Sequence, residues 1–138
     1  MLTPANSALL SLRTKRQVIG QVLMCCGCCC GDVERGRPEV PVEWLKAEWR
    51  RRGLVKDIDL SFSGCLGPCD LANVVSVSDD TGSVWLGQLK ELVQYLGLLE
   101  WASRSKEAGM LLPLPDEFEE LRFDRFRAKA TSVRGESA

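Results

Sequence analysis

All seven cysteines of this chain fall in two short clusters, Cys25-Cys26-Gly27-Cys28-Cys29-Cys30 and Cys65-Leu66-Gly67-Pro68-Cys69, each placed after a run of strand-forming residues. Thiolates are soft ligands that select zinc, copper(I) or an iron–sulfur cluster, so two such loops brought together would make a four-sulfur site. The outer cysteines are spaced C-x4-C and C-x3-C, with residues 31–64 between the clusters. The chain has no histidine. That absence excludes Cys2His2 zinc fingers, Rieske clusters, c-type haem attachment and any nucleophile paired with histidine. Whatever binds is held by sulfur, or by sulfur with carboxylate.

Three chemistries compete for these thiols. A structural zinc site accepts four cysteines, and its usual C-x2-C knuckle is available at Cys25/Cys28 or Cys26/Cys29 but not in the second loop. A thiol–disulfide oxidoreductase needs a C-x-x-C that opens a helix and so lowers a thiol pKa, whereas Gly31 and Pro38 separate these cysteines from the next helical pattern. The third is an iron–sulfur cluster. An odd number of cysteines, three of them consecutive, suits a reducing compartment better than a secreted disulfide framework, and a cytoplasmic location is expected.

The elements that must position the loops follow from residue pattern. Gln17–Met24 reads as a buried strand delivering the first cluster. Pro41 stands where a helix would begin, Val42, Leu45 and Trp49 recur at helical spacing, Glu48 can pair with Arg52, and Gly53 suits the end. Ile58–Phe62 is a second strand running into the second cluster. Asn73–Ser78 and Ser83–Gly87 read as a hairpin around Asp79-Asp80-Thr81-Gly82. Leu89, Leu92, Val93, Leu96 and Leu99 then form an apolar stripe expected to face the core of a closing helix. Met110–Pro115 reads as extended, Asp116–Arg127 as one further helix carrying Phe118, Leu121 and Phe126, and the stretch from Ala128 as disordered. The order β-α-β-β-β-α, with a right-handed crossover between two parallel strands, predicts an α/β, thioredoxin-like fold: a small mixed four-stranded sheet with two main helices. The domain is expected over residues 17–103, between a flexible leader (1–16) and a C-terminal extension (104–138).

Composition fits that reading. With 138 residues, 45% hydrophobic and 27% charged, the chain has room for one core. A formal charge of −1 argues against binding to a nucleic-acid backbone. The run Arg50-Arg51-Arg52 reads as the solvated end of a helix, with an acidic docking partner as the alternative. No stretch approaches the roughly 20 apolar residues needed to span a bilayer, so no membrane role is expected.

These residues carry a resemblance. The chain resembles the thioredoxin-like [2Fe–2S] ferredoxins. Its C-x4-C and C-x3-C spacing is similar to that of the ferredoxin subunit of respiratory complex I and related hydrogenase subunits. The runs Cys28-Cys29-Cys30-Gly31 and Gly64-Cys65-Leu66-Gly67-Pro68-Cys69-Asp70-Leu71-Ala72-Asn73 resemble small stand-alone bacterial (2Fe–2S) ferredoxin domain proteins. The resemblance spans Gln17 to Trp101 and departs from the wider family in its crowded first loop. It implies a [2Fe–2S] cluster held by Cys25, Cys30, Cys65 and Cys69, with Cys26, Cys28 and Cys29 spare. It also implies a one-electron carrier, not an enzyme, that meets larger redox proteins transiently, with a homodimer as the other association left open. Gly64 and Gly67 would let amide N–H groups approach the cluster, and Asp32 and Asp70 are expected to face solvent.

Overall fold

The computed structural model describes residues 12–27 and 29–128. Most of the predicted leader, Cys28 and the C-terminal stretch from residue 129 lie outside the described residues. The elements in chain order are β1 (Gly20–Cys25), α1 (Val42–Arg51), β2 (Ile58–Ser63), β3 (Val75–Asp79), β4 (Gly82–Leu86), α2 (Leu92–Ala108) and β5 (Arg122–Phe123), with short 3-10 turns at Val33–Arg35, Cys69–Leu71 and Asp116–Leu121. The sheet runs β2-β1-β3-β4-β5. β1 and β2 are parallel, with Cys25 opposite Ser63, and every other neighbouring pair is antiparallel. This is the thioredoxin-like α/β arrangement expected from the pattern of elements, with one strand more than the four predicted.

Side chains alternate across a strand, so the two faces of this sheet have different fates. Val22, Met24, Val75, Val77 and Leu86 form one buried face, covered by Leu45 and Trp49 of α1 and by Tyr95, Leu98, Leu99, Trp101 and Ala102 of α2. Cys25, Val74, Trp85 and Phe123 belong to a second, smaller cluster with Cys30 and Ala72. The cysteine loops thus form part of the second layer, on a face that no helix among the described residues covers.

α1 buries Leu45 and Trp49, one turn apart, and the Trp49 indole N–H donates to Ile58 O at 2.8 Å, giving the buried ring's polar edge a partner. Glu48 pairs with Arg51 at 2.6 Å and with Arg52 at 3.6 Å. The arginine run is only partly a solvated helix end. Arg52 reaches across to Glu100 at 3.1 Å and to Ser103 Oγ at 3.3 Å, fastening α1 to α2.

α2 corrects the predicted leucine stripe. Leu89 and Leu99 are buried as expected, but Leu92, Val93 and Leu96 are 54%, 60% and 37% exposed. Leu89 lies outside the helix, its amide bonded to Asn73 O, and the phase of the helix is set by Tyr95, Leu98, Trp101, Ala102 and Ser105. A capping box between Glu91 and Gln94 starts α2 at this phase, and Gly109, with φ of 78°, ends it.

The chain after α2 is held to the core. Trp101 Nε1 donates to Leu112 O at 2.7 Å, Ser105 Oγ accepts from the Leu112 amide at 3.0 Å, and Phe118 is buried against α2. The predicted helix over Asp116–Arg127 is instead a 3-10 turn followed by β5. Leu121 O accepts the Gly87 amide at 2.8 Å, and the open edge of β4 then takes up Arg122 and Phe123 as a fifth strand. An edge with unpaired N–H and C=O groups overrides a weak helical pattern.

Candidate metal centre

Parallel pairing of β1 and β2 is what brings the two loops together. Both strands finish at the same end of the sheet, and the Cys26 amide donates to Ser63 O at 2.8 Å, so the loops leave side by side. The Cys25 amide donates to Val74 O at 3.0 Å, anchoring the start of the first loop to the chain that leaves the second.

The cysteines arrive as two pairs. Cys25 and Cys30 are buried together in one cluster. Burial, followed by the neighbouring Cys25 thiol, pushes the Cys30 thiol up to about 12. In the second loop, Cys65 Sγ and Cys69 Sγ are 3.1 Å apart, with Cys65 exposed and Cys69 half-buried. The Cys69 thiol is raised by its bonds to Cys65 and then to Cys29. Cys29, spare in the predicted ligand set, therefore reaches the opposite loop. None of the six described cysteines is in a disulfide.

Among the described residues, no group of three or more Cys, Asp or Glu side chains converges as a ready site for one metal ion. The donor chemistry nevertheless fits a thiolate-bound group. Two sulfurs on one tetrahedral metal, at about 2.3 Å each, stand about 3.8 Å apart, so the Cys65–Cys69 pair would open by less than about 1 Å on deprotonation and binding.

Two features hold the loops in shape. Gly67 has φ of 121°, a conformation L side chains rarely adopt, and its amide donates to Cys65 Sγ at 3.3 Å. This amide meets a cysteine sulfur within its own turn; Gly64 has no positive φ, and a Cβ added there would meet open space. The second feature is Asn73, which is 1% exposed. Its Oδ1 accepts the Gly31 amide at 2.8 Å and its Nδ2 donates to Pro38 O at 2.9 Å, so one buried side chain clamps both ends of the connection that follows the first cysteines. Sequence reasoning placed Asn73 at the end of the second cysteine run and the start of a strand but gave its side chain no role; the signal was a polar amide between Ala72 and Val74 at the mouth of a buried strand. Asp70 is exposed, and Asp32 pairs with Arg35 at 3.4 Å.

Trp85, half-buried, packs against the cluster that holds Cys25 and Cys30. Phe123 and Phe126 meet it edge-on at 6.2 and 6.1 Å. The first loop does not open a helix, since α1 begins only at Val42. No helix among the described residues is long and apolar enough to cross a membrane.

No protein-family model matches the chain. No curated protein matches it either. Among solved structures, the chain is similar to the thioredoxin-like [2Fe–2S] ferredoxin from Aquifex aeolicus. One wild-type structure shows 20% identity and a TM-score of 0.46, covering 79% of this chain and 100% of the other. A second structure of that ferredoxin shows 19% identity and a TM-score of 0.47 over 83% of this chain and 99% of the other. A cysteine-to-serine variant of it shows 19% identity and a TM-score of 0.45 over 77% and 99%.

Proposed function

We propose that this chain binds a [2Fe–2S] cluster through Cys25, Cys30, Cys65 and Cys69 and serves larger redox proteins as a one-electron carrier. The observation that carries the reading is the delivery of four thiols as two pairs from loops at one end of adjacent parallel strands. Two irons each holding two thiolates need such a division, whereas a single zinc ion needs four sulfurs converging on one point. The cluster, when bound, supplies a site that accepts and returns one electron. The protein's share is to exclude water from the Cys25/Cys30 side and to direct the Gly67 amide at a ligand sulfur, a contact of the kind that tunes reduction potential. A helix start at Val42, well beyond Cys30, counts against a thiol–disulfide oxidoreductase, whose reactive thiol uses a helix N-terminus. Seven cysteines, three of them consecutive, suit the cytoplasm better than a secreted disulfide framework. Contacts with redox partners would be small and transient.

Anaerobic purification with visible spectroscopy and assays for iron, zinc and acid-labile sulfide tests this. Equal iron and sulfide with a brown chromophore bleached by dithionite is the expected result; a colourless zinc protein or a metal-free dithiol would overturn it. Cys65→Ser, Cys69→Ser and Cys30→Ser should each lose the chromophore, while Cys28→Ser and Cys29→Ser should keep it. Retention in Cys30→Ser with loss in Cys29→Ser would move the ligand to the thiol that touches Cys69.

A further inference from the structure

The C-terminal strand brings a cation to the second cysteine loop. Beyond β5, Arg125 Nη2 donates to Leu66 O at 3.4 Å, inside the Cys65–Cys69 turn. The guanidinium carbon stands 5.5 Å from the Trp85 ring centroid, a cation–π contact, and Phe126 packs edge-on against the same indole. A Cβ at position 67 would lie 2.5 Å from Arg125 Nη2. The guanidinium thus rests on bare backbone, at the residue whose amide donates to Cys65 Sγ. Nothing within this loop supplies a positive charge, since its one ionisable neighbour, Asp70, is acidic.

We propose that Arg125 is a positioning residue for the cluster: it braces the Leu66–Gly67 turn and supplies the positive charge that favours the reduced state. The inference rests on the [2Fe–2S] reading. Two ferric ions, two sulfides and four thiolates carry a charge of −2, and one electron from a donor such as dithionite takes it to −3, so a nearby cation stabilises the reduced form more than the oxidised form. A unit charge a few ångströms beyond a ligand loop, at the dielectric of a protein surface, is worth about a tenfold change in a one-electron equilibrium. Arg125 is exposed, so the effect is open to screening by salt.

The test is a redox titration of the full chain, purified without oxygen, as wild type, Arg125→Gln and Arg125→Lys, at low ionic strength and at about 1 M salt, with iron and sulfide measured on each sample. Arg125→Gln is expected to keep its iron and sulfide while reduction becomes about tenfold less favourable at low salt, a midpoint lower by about 59 mV for a one-electron couple. High salt should shrink the difference, and Arg125→Lys should recover most of it. Loss of iron and sulfide from Arg125→Gln but not from Arg125→Lys would also support the bracing role, because only the charge-bearing side chain then keeps the turn intact. An unchanged midpoint in a fully loaded Arg125→Gln protein, or a shift indifferent to salt, overturns the inference and leaves the cluster reading standing. Wild-type protein without iron and sulfide overturns both.

Discussion

Replacing Asn73 with alanine removes a side chain that bonds to both ends of the Gly31–Pro38 connection. The two bonds, at 2.8 and 2.9 Å, come from a side chain 1% exposed. Each contributes about 1 kcal/mol net, and the truncation also leaves a half-buried Gly31 amide and Pro38 carbonyl without that partner. The expected loss is about 2–3 kcal/mol of unfolding free energy. In urea this should appear as a lower midpoint at unchanged m, since the surface exposed on unfolding hardly changes. The thermal midpoint should fall by on the order of 10 °C for a chain of this size. Hydrogen exchange at the Gly31 amide should accelerate beyond what the global loss of stability explains, because that amide loses its acceptor. The clamp joins the first cysteine loop to the chain leaving the second, so under the proposed [2Fe–2S] reading Asn73→Ala protein should also lose its iron sooner than wild type on dilution. A stability change under about 0.5 kcal/mol, together with unaltered Gly31 exchange, would refute the reasoning.

Three further outcomes are expected. Phe118→Ala should cost about 3–5 kcal/mol by urea unfolding, because the ring is 2% exposed and pins the C-terminal segment to α2. Trp49→Phe should cost about 1–2 kcal/mol, since it strips the buried Ile58 carbonyl of the indole N–H donor 2.8 Å away; a wild-type unfolding curve would contradict that role. In the β3–β4 hairpin, Asp79 accepts from the Thr81 hydroxyl at 2.6 Å and from the Thr81 amide at 2.8 Å, and these bonds hold its carboxyl below the usual aspartate value. A lowered folded-state pKa means stabilisation that is complete above the unfolded value and disappears as pH falls through the folded one. Wild type should therefore exceed Asp79→Ala in stability at about pH 7, with the gap closing towards about pH 2, and a gap constant with pH would contradict the assignment.

The local features were readable because they depend on neighbours in the chain. The alternation and β-branching around Val22 and Val75, the two-residue turn between Asp79 and Gly82, and the 3.6-residue spacing of Leu45 and Trp49 each express a preference the backbone has before it folds. The clustering of cysteines belongs with them, since it limits the chemistry to sulfur whatever the fold. The phase of α2 was not readable. Leu92, Val93 and Leu96 carry as strong an apolar pattern as Leu98 and Leu99, and only the capping box at Glu91 and the fit of Tyr95 and Trp101 against the sheet select which face is buried.

By itself, then, the amino-acid sequence determined that the clustered side chains are thiols, the order of the first four strands and the two main helices, and the glycine, Gly67, that allows the second loop to turn around sulfur. The tertiary structure alone decided how the thiols divide, with Cys25 against Cys30, and Cys29 reaching Cys69 beside Cys65. It also decided that Asn73 bridges residues far apart in the chain and that Arg125 comes to rest on Gly67. The Cys25–Cys30 and Cys65–Cys69 pairs are local, but the Cys29, Asn73 and Arg125 contacts join residues separated by dozens of positions, and their geometry follows from strand register and from the pairing of an open sheet edge, to which local propensity is blind.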